Sequence, residues 1–345
     1  MVLGVVALAV VLAGVTRYAH GISRVAAFVL ATLALAGAAW IVALGTEQVG
    51  GRLGPSMTGI TQATLGNLPE FFVVLFALQA GERVVAETAI LGSILVNALF
   101  VLGLVIVAGA WREGDGLMRF NARLPNDTTT LLMVSSFIIV LIGLAHSAGD
   151  PASHHVKTIS IVGAVAILIV YATWLRQYLT SPPPPGGHAG AAPRLSSLTS
   201  GALLVGGGVA SAFVSDWFIN ALEPTIHSLH ISKPFAGLVI VAIAGNAVEH
   251  SVGIVLAAKG QADLAISVVK NSVSQIAAFL YPLLVLVSLL TATTLTFSLA
   301  PVYIGALIGT SVIVWQITGD GEASVFEGAA LVAAFVILAT VAAFE

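Results

Sequence analysis

The chain of 345 residues contains no cysteine, which excludes disulfide frameworks, thiolate metal ligands and thiol nucleophiles. Charge is nearly as scarce. Asp, Glu, Lys and Arg make up 8% of the residues, against about 25% in soluble domains. A water-facing surface cannot be assembled from so few charges. With 58% hydrophobic residues and a mean hydropathy of +1.04, the chain reads as an integral membrane protein. The net charge of −3 leaves neither a basic footprint for nucleic acid nor a strongly acidic tail. Also missing are a His-Glu-x-x-His pair, a phosphate-binding glycine loop and any basic patch interleaved with aromatics. The alternation of a transmembrane β-barrel is absent too. The apolar runs are continuous, which selects membrane-spanning helices of about 20 residues each.

Eleven such runs fall at about 2–16, 24–45, 59–80, 84–111, 128–148, 156–179, 198–220, 234–259, 262–290, 297–316 and 325–344. The first has no basic residue before it and no small-residue cleavage site after it, so it reads as a helix and not as a leader. Residues 181–197, which include the four consecutive prolines Pro182–Pro185, cannot continue a helix and read as a linker. The halves on either side resemble each other. At a constant offset of 179, Gly66, Asn67, Glu70, Val73, Gly81, Ala86 and Ser93 meet Gly245, Asn246, Glu249, Val252, Gly260, Ala265 and Ser272 without a gap. The expected organisation is an extra helix in residues 1–22, a five-helix repeat in 23–180, the linker, and a second repeat in 198–345. An odd number of helices per repeat inserts the second copy upside down, as in secondary transporters whose site lies near mid-membrane. Seven Arg and Lys residues in loops on the N-terminal side, against five on the other, favour a cytoplasmic N-terminus and linker in a cell-membrane protein.

The chemistry concentrates in the pentapeptides GNLPE, residues 66–70, and GNAVE, residues 245–249. A charged carboxylate at the bilayer centre costs roughly 2.5–3.5 kcal/mol even on the gentlest scale, and this chain incurs that cost twice, at Glu70 and Glu249. A spacing of i, i+3 sets Asn67 beside Glu70 and Asn246 beside Glu249 on one helix face. Carboxylate and amide oxygens are what hard cations such as calcium bind. Buried carboxylates also take up protons, so metal and proton compete for the same oxygens, which is the requirement for antiport. Gly66 and Gly245 allow departures from helical geometry. Pro69 is either a helix kink or a break that frees the Leu65 carbonyl for an ion, and Val248 holds the matching position. The following helix of each half adds Ser93 and Asn97, then Asn271, Ser272, Ser274 and Gln275, which either line the site or bond neighbouring backbone. His250 either relays protons or packs. Lys270 either snorkels to an interface or serves as an internal counter-charge. Asp150, His154 and His155 form a loop cluster that either binds metal or is simply solvated.

These residues resemble the two α-repeats of the calcium/cation antiporter superfamily, in its calcium/proton exchanger branch. The first motif is carried by Gly66, Asn67 and Glu70, then Gly92, Ser93 and Asn97. The second is carried by Gly245, Asn246, Glu249 and His250, then Ser272 and Gln275. The resemblance is close over 59–105 and 234–288. It implies an all-α membrane exchanger without a cofactor, which moves Ca2+ out of the cytoplasm against H+ by alternating access. Glu70 and Glu249 would be the metal-binding and proton-carrying groups. The chain departs from the pattern at Asn271, where a glycine is usual, and at Lys270 before it. That departure leaves open a Na+ or K+/H+ antiporter with Lys270 as the displaced internal charge. An intramembrane metal enzyme around Glu249 and His250 would need a second histidine ligand pair, which the sequence lacks. A channel would conduct without a proton gradient.

Overall fold

A computed structural model describes residues 2–19, 21–53, 65–180 and 195–345, the side chains of 50–53, 248 and 249 excepted. Among the described residues, eight helices are long and apolar enough to cross a bilayer. In chain order the helices are α1 (Val2–Tyr18), α2 (Arg24–Leu53), α3 (Leu68–Gln79), α4 (Arg83–Arg112), α5 (Arg123–Ala148) and α6 (Val156–Thr180). They continue with α7 (Ser197–Leu229), α8 (Ala242–Ala258), α9 (Ala262–Leu290), α10 (Pro301–Thr318) and α11 (Val325–Ala343). The runs expected at 59–64 and most of the linker lie outside the described residues.

Helices α4 and α9, which occupy matching places in the two halves, are the most enclosed of the spans. Each is loosened by a π-helical turn at the same place, Val96–Val101 in α4 and Ile276–Leu280 in α9. The turns that precede them match as well. Gly81 and Gly260 both adopt left-handed backbone, with φ of 80° and 78°, a conformation open to glycine at no steric cost. A third π turn, Ala236–Val241, leads into α8.

Without a hydrophobic force between helices in lipid, association depends on close packing through small residues. α4 meets such contacts at two levels. A side chain at Gly92 would run into the backbone of Leu238, and one at Gly237 into Thr88 and the Val85 carbonyl. Further along, Gly103 and Gly328 face each other's carbonyl oxygens, which locks α4 against α11. Helices α2 and α7 pack lengthwise, and α1 lies against both, with Val6 seated on Gly37 and Gly14 against Trp217.

Two features depart from the sequence reading. Helix α7 continues past the expected end near 220 to Leu229, carrying Pro224 within it. An antiparallel ribbon of β1 (Leu117–Arg119) and β2 (Glu322–Ser324) joins the two halves, with Met118 opposite Ala323. Three-residue strands are too short to leave an alternating pattern.

Candidate functional site

The first motif is built at a helix start. Gly66 and Asn67 form a turn, α3 begins at Leu68, and Pro69 occupies its first turn. There the missing N–H costs nothing and the fixed φ suits the helix. Pro69 is therefore an initiator, which corrects the kink reading. Glu70 falls in the same first turn, where unpaired backbone N–H groups favour negative charge by roughly 0.3–1 kcal/mol. Its side chain is 6% exposed.

The second motif meets Glu70 from across the molecule. Asn246 on α8 donates through Nδ2 to Glu70 Oε1, to Ser93 Oγ at 3.2 Å and to the Ala242 carbonyl at 3.1 Å. One amide thus ties α3, α4 and α8 together. Gly245 permits this approach, because an added Cβ would stand 3.2 Å from Glu70 Cγ. Glu70, Ser93 and Gly245 line one small cavity with Val73, Val74, Ala89, Ile90, Val241 and Leu280. Asn97 lies in the π turn of α4, buried, and donates to the Ser93 carbonyl at 2.9 Å. Asn67 is buried beside the α3 start, and its Nδ2 has no partner among the described residues. Gly66 is half-buried in the turn before it.

On α9, Ser272 and Gln275 are buried, and Ser274 Oγ donates to the Asn271 carbonyl at 3.0 Å, which is the packing role. Asn271 is half-buried, and its Oδ1 has no partner among the described residues. His250 is 8% exposed. Glu249 lies about two turns into α8, and its side chain falls outside the described residues. The expected meeting of two carboxylates is therefore not part of the observed geometry.

Lys270 departs from the snorkelling reading. It does not snorkel, being 2% exposed. Its ammonium donates to Thr129 Oγ1 on α5 at 2.5 Å and to Thr318 Oγ1 on α10 at 3.4 Å. Both hydroxyls give their own protons to backbone carbonyls, of Pro125 and Val314, and so offer lone pairs to the ammonium. Two positions separate Lys270 from Ser272, about 200° around the helix, and Lys270 is not among the residues lining the Glu70 cavity. The loop cluster is resolved in favour of solvation. Asp150, His154 and His155 are exposed, and Asp150 caps the turn through the Ala152 N–H at 2.8 Å. Among the described residues, no group of three His, Cys, Asp or Glu could hold a metal ion.

The sequence did not single out Leu280, Val241 or Thr129. Apolar residues in apolar helices carry no signal of their own, and Thr129 is one threonine among three in a row.

A carboxylate, an amide and a hydroxyl gathered from three helices inside a multi-pass membrane protein define an ion-handling transporter. The sodium/calcium exchanger protein family model matches residues 23–176 and 199–344, and the chain belongs to that family. It is 31% identical over 324 residues to the vacuolar calcium ion transporter of Schizosaccharomyces pombe, covering 90% of this chain and 77% of that protein. It is 26% identical to the Ca2+/H+ antiporter of Aphanothece halophytica, covering 91% and 89%. The solved structure of native YfkE superposes with a TM-score of 0.84 at 25% identity over 100% of both chains.

Proposed function

We propose that this protein is a Ca2+/H+ antiporter that exports Ca2+ by alternating access, with Glu70 and Glu249 as shared cation and proton sites. The observation that carries the reading is the contact of Asn246 with Glu70 and Ser93, which brings the second motif onto the first in a buried cavity. A carboxylate there has two uses. Charged, it supplies the negative oxygens a divalent cation requires; protonated, it is neutral and tolerates the apolar wall of Val73, Val74 and Ile90. Exchange of one state for the other couples the two fluxes. Asn67, Asn246, Ser93 and Ser272 supply neutral ligands or hold the carboxylates in place. Asn97, Gln275 and His250 support them.

Residues 23–180 and 198–345 are taken as two inverted repeats, with the N-terminus and linker in the cytoplasm. The matched π turns, the matched Gly81 and Gly260 turns and the two separate stretches of family match support the repeat. The names of the relatives support calcium and protons as the exchanged ions.

The test is Ca2+ exchange in vesicles under an imposed pH step, with Na+, K+ and Mn2+ offered in parallel. Glu70→Gln and Glu249→Gln each abolish exchange while the protein stays folded. Normal Ca2+ and H+ flux in either variant removes the assignment, and Na+ or K+ exchange at the expense of Ca2+ replaces the substrate.

A further inference from the structure

The residues lining the Glu70 cavity lie to one side of the motif. Val73 and Val74 follow Glu70 toward the Gly81 turn, and Ala89 and Ile90 lie between that turn and Ser93. Val241 comes before Gly245, and Leu280 lies beyond Ser272 toward the end of α9. All four directions lead to the same face of the molecule. Lys233, at the start of the segment leading into α8, is ion-paired with Glu82 at 2.7 Å. Arg83 reaches Thr296, in the loop before α10, at 3.2 Å. The cavity therefore lies on the side of Glu70 nearer the face formed by the Gly81 turn, the start of that segment and the loop before α10.

One carboxylate of α4 lies between the cavity residues and that face. Residues 83, 87, 90, 93 and 97 share a stripe of α4 at 3.6 residues per turn. The stripe carries Arg83, Glu87, the cavity residues Ile90 and Ser93, and Asn97. Glu87 lies about 9 Å along the helix from Ser93. Its side chain is 16% exposed and accepts from Arg83 Nε at 2.7 Å, whereas the Arg83 side chain is 46% exposed. Its counterpart in the second half is Ile266, 1% exposed, so the matching position there holds no carboxylate.

We propose that Glu87 is a transit carboxylate for the exchanged cation on this face alone, and that Arg83 is the tethered charge that occupies it between passages. A cation arriving from solvent displaces the half-exposed guanidinium from Glu87 and moves on along the α4 stripe to Glu70. Arg83 swings back behind it and retains its contact with Thr296. An i, i+4 pair on an exposed helix face would contribute little and would have no sidedness. The inference rests on Glu70 as the cation site.

The experiment uses right-side-out and inside-out vesicles and Ca2+ as the probe. In Glu87→Gln, the half-saturating Ca2+ concentration rises about fivefold when Ca2+ is offered at the face of the Gly81 turn, and is unchanged at the opposite face. Arg83→Gln keeps the carboxylate, removes its competitor and lowers the value on that face only. Equal shifts at both faces, or no shift in either variant, overturn the proposal. If Glu87→Gln does not fold, the Arg83→Gln result decides alone. Failure of the underlying reading is distinct, because it appears as exchange surviving in Glu70→Gln at both faces.

Discussion

GNLPE and GNAVE differ at two positions out of five, and the chain folds around them differently. In the first half the helix begins at the motif, so Glu70 sits in the first turn under unpaired N–H groups. In the second half Glu249 lies within α8, Ala242–Ala258, whose axis bends by 65° between Ala247 and His250. Pro69 suits the helix start in the first half, and Val248 holds the matching position at the bend of the second. Lys270 extends the contrast, because the first half has Leu91 there.

The comparison can be broken most severely at the carboxylates themselves. Loss of exchange in both Glu70→Gln and Glu249→Gln means the halves share one task despite their unlike settings. Loss in only one, measured in the same vesicles, means the second glutamate is structural. Next in size is Val248→Pro, which places the first-half residue at the bend of α8. It costs about 3 kcal/mol and appears as a lower thermal midpoint in detergent together with lost exchange. An unchanged midpoint would mean that the bend already forgoes the backbone bond a proline removes. Lys270→Leu makes the second half like the first and removes a buried amine that, among the described residues, is held by two hydroxyls. Replacing buried charge with apolar volume is neutral or stabilising by about 1–4 kcal/mol, so the midpoint holds or rises and Ca2+ affinity stays constant. A fall in the midpoint would assign Lys270 a necessary bond. Pro69→Ala is the mildest change, at about 1 kcal/mol or less, and leaves exchange measurable.

Hydrophobic runs made the spans legible, because burial in lipid leaves a continuous trace in composition. Repetition made Glu70, Asn246 and Ser93 legible, because a coincidence of polar residues at one offset stands out in an apolar alphabet. What stayed hidden has no compositional mark. A π turn requires no particular side chain, so Val96–Val101 and Ile276–Leu280 read as ordinary helix. Pro224 lies within α7, where a proline in a polar loop and one in a membrane helix look the same in sequence. The setting of Lys270 depends on Thr129 and Thr318, far away in the chain, and no local pattern joins them.

The small β ribbon constrains how this molecule can move. Leu117–Arg119 belongs to the first half and Glu322–Ser324 to the second, and three residue pairs stitch them together, with Met118 1% exposed beneath. Parting the tips of α4 and α11 would tear backbone bonds and unseat Met118 from Gly109. Gly103 and Gly328 clamp the same two helices one level deeper. This corner is therefore a selvedge, and a motion that parts the two halves meets less resistance at another edge.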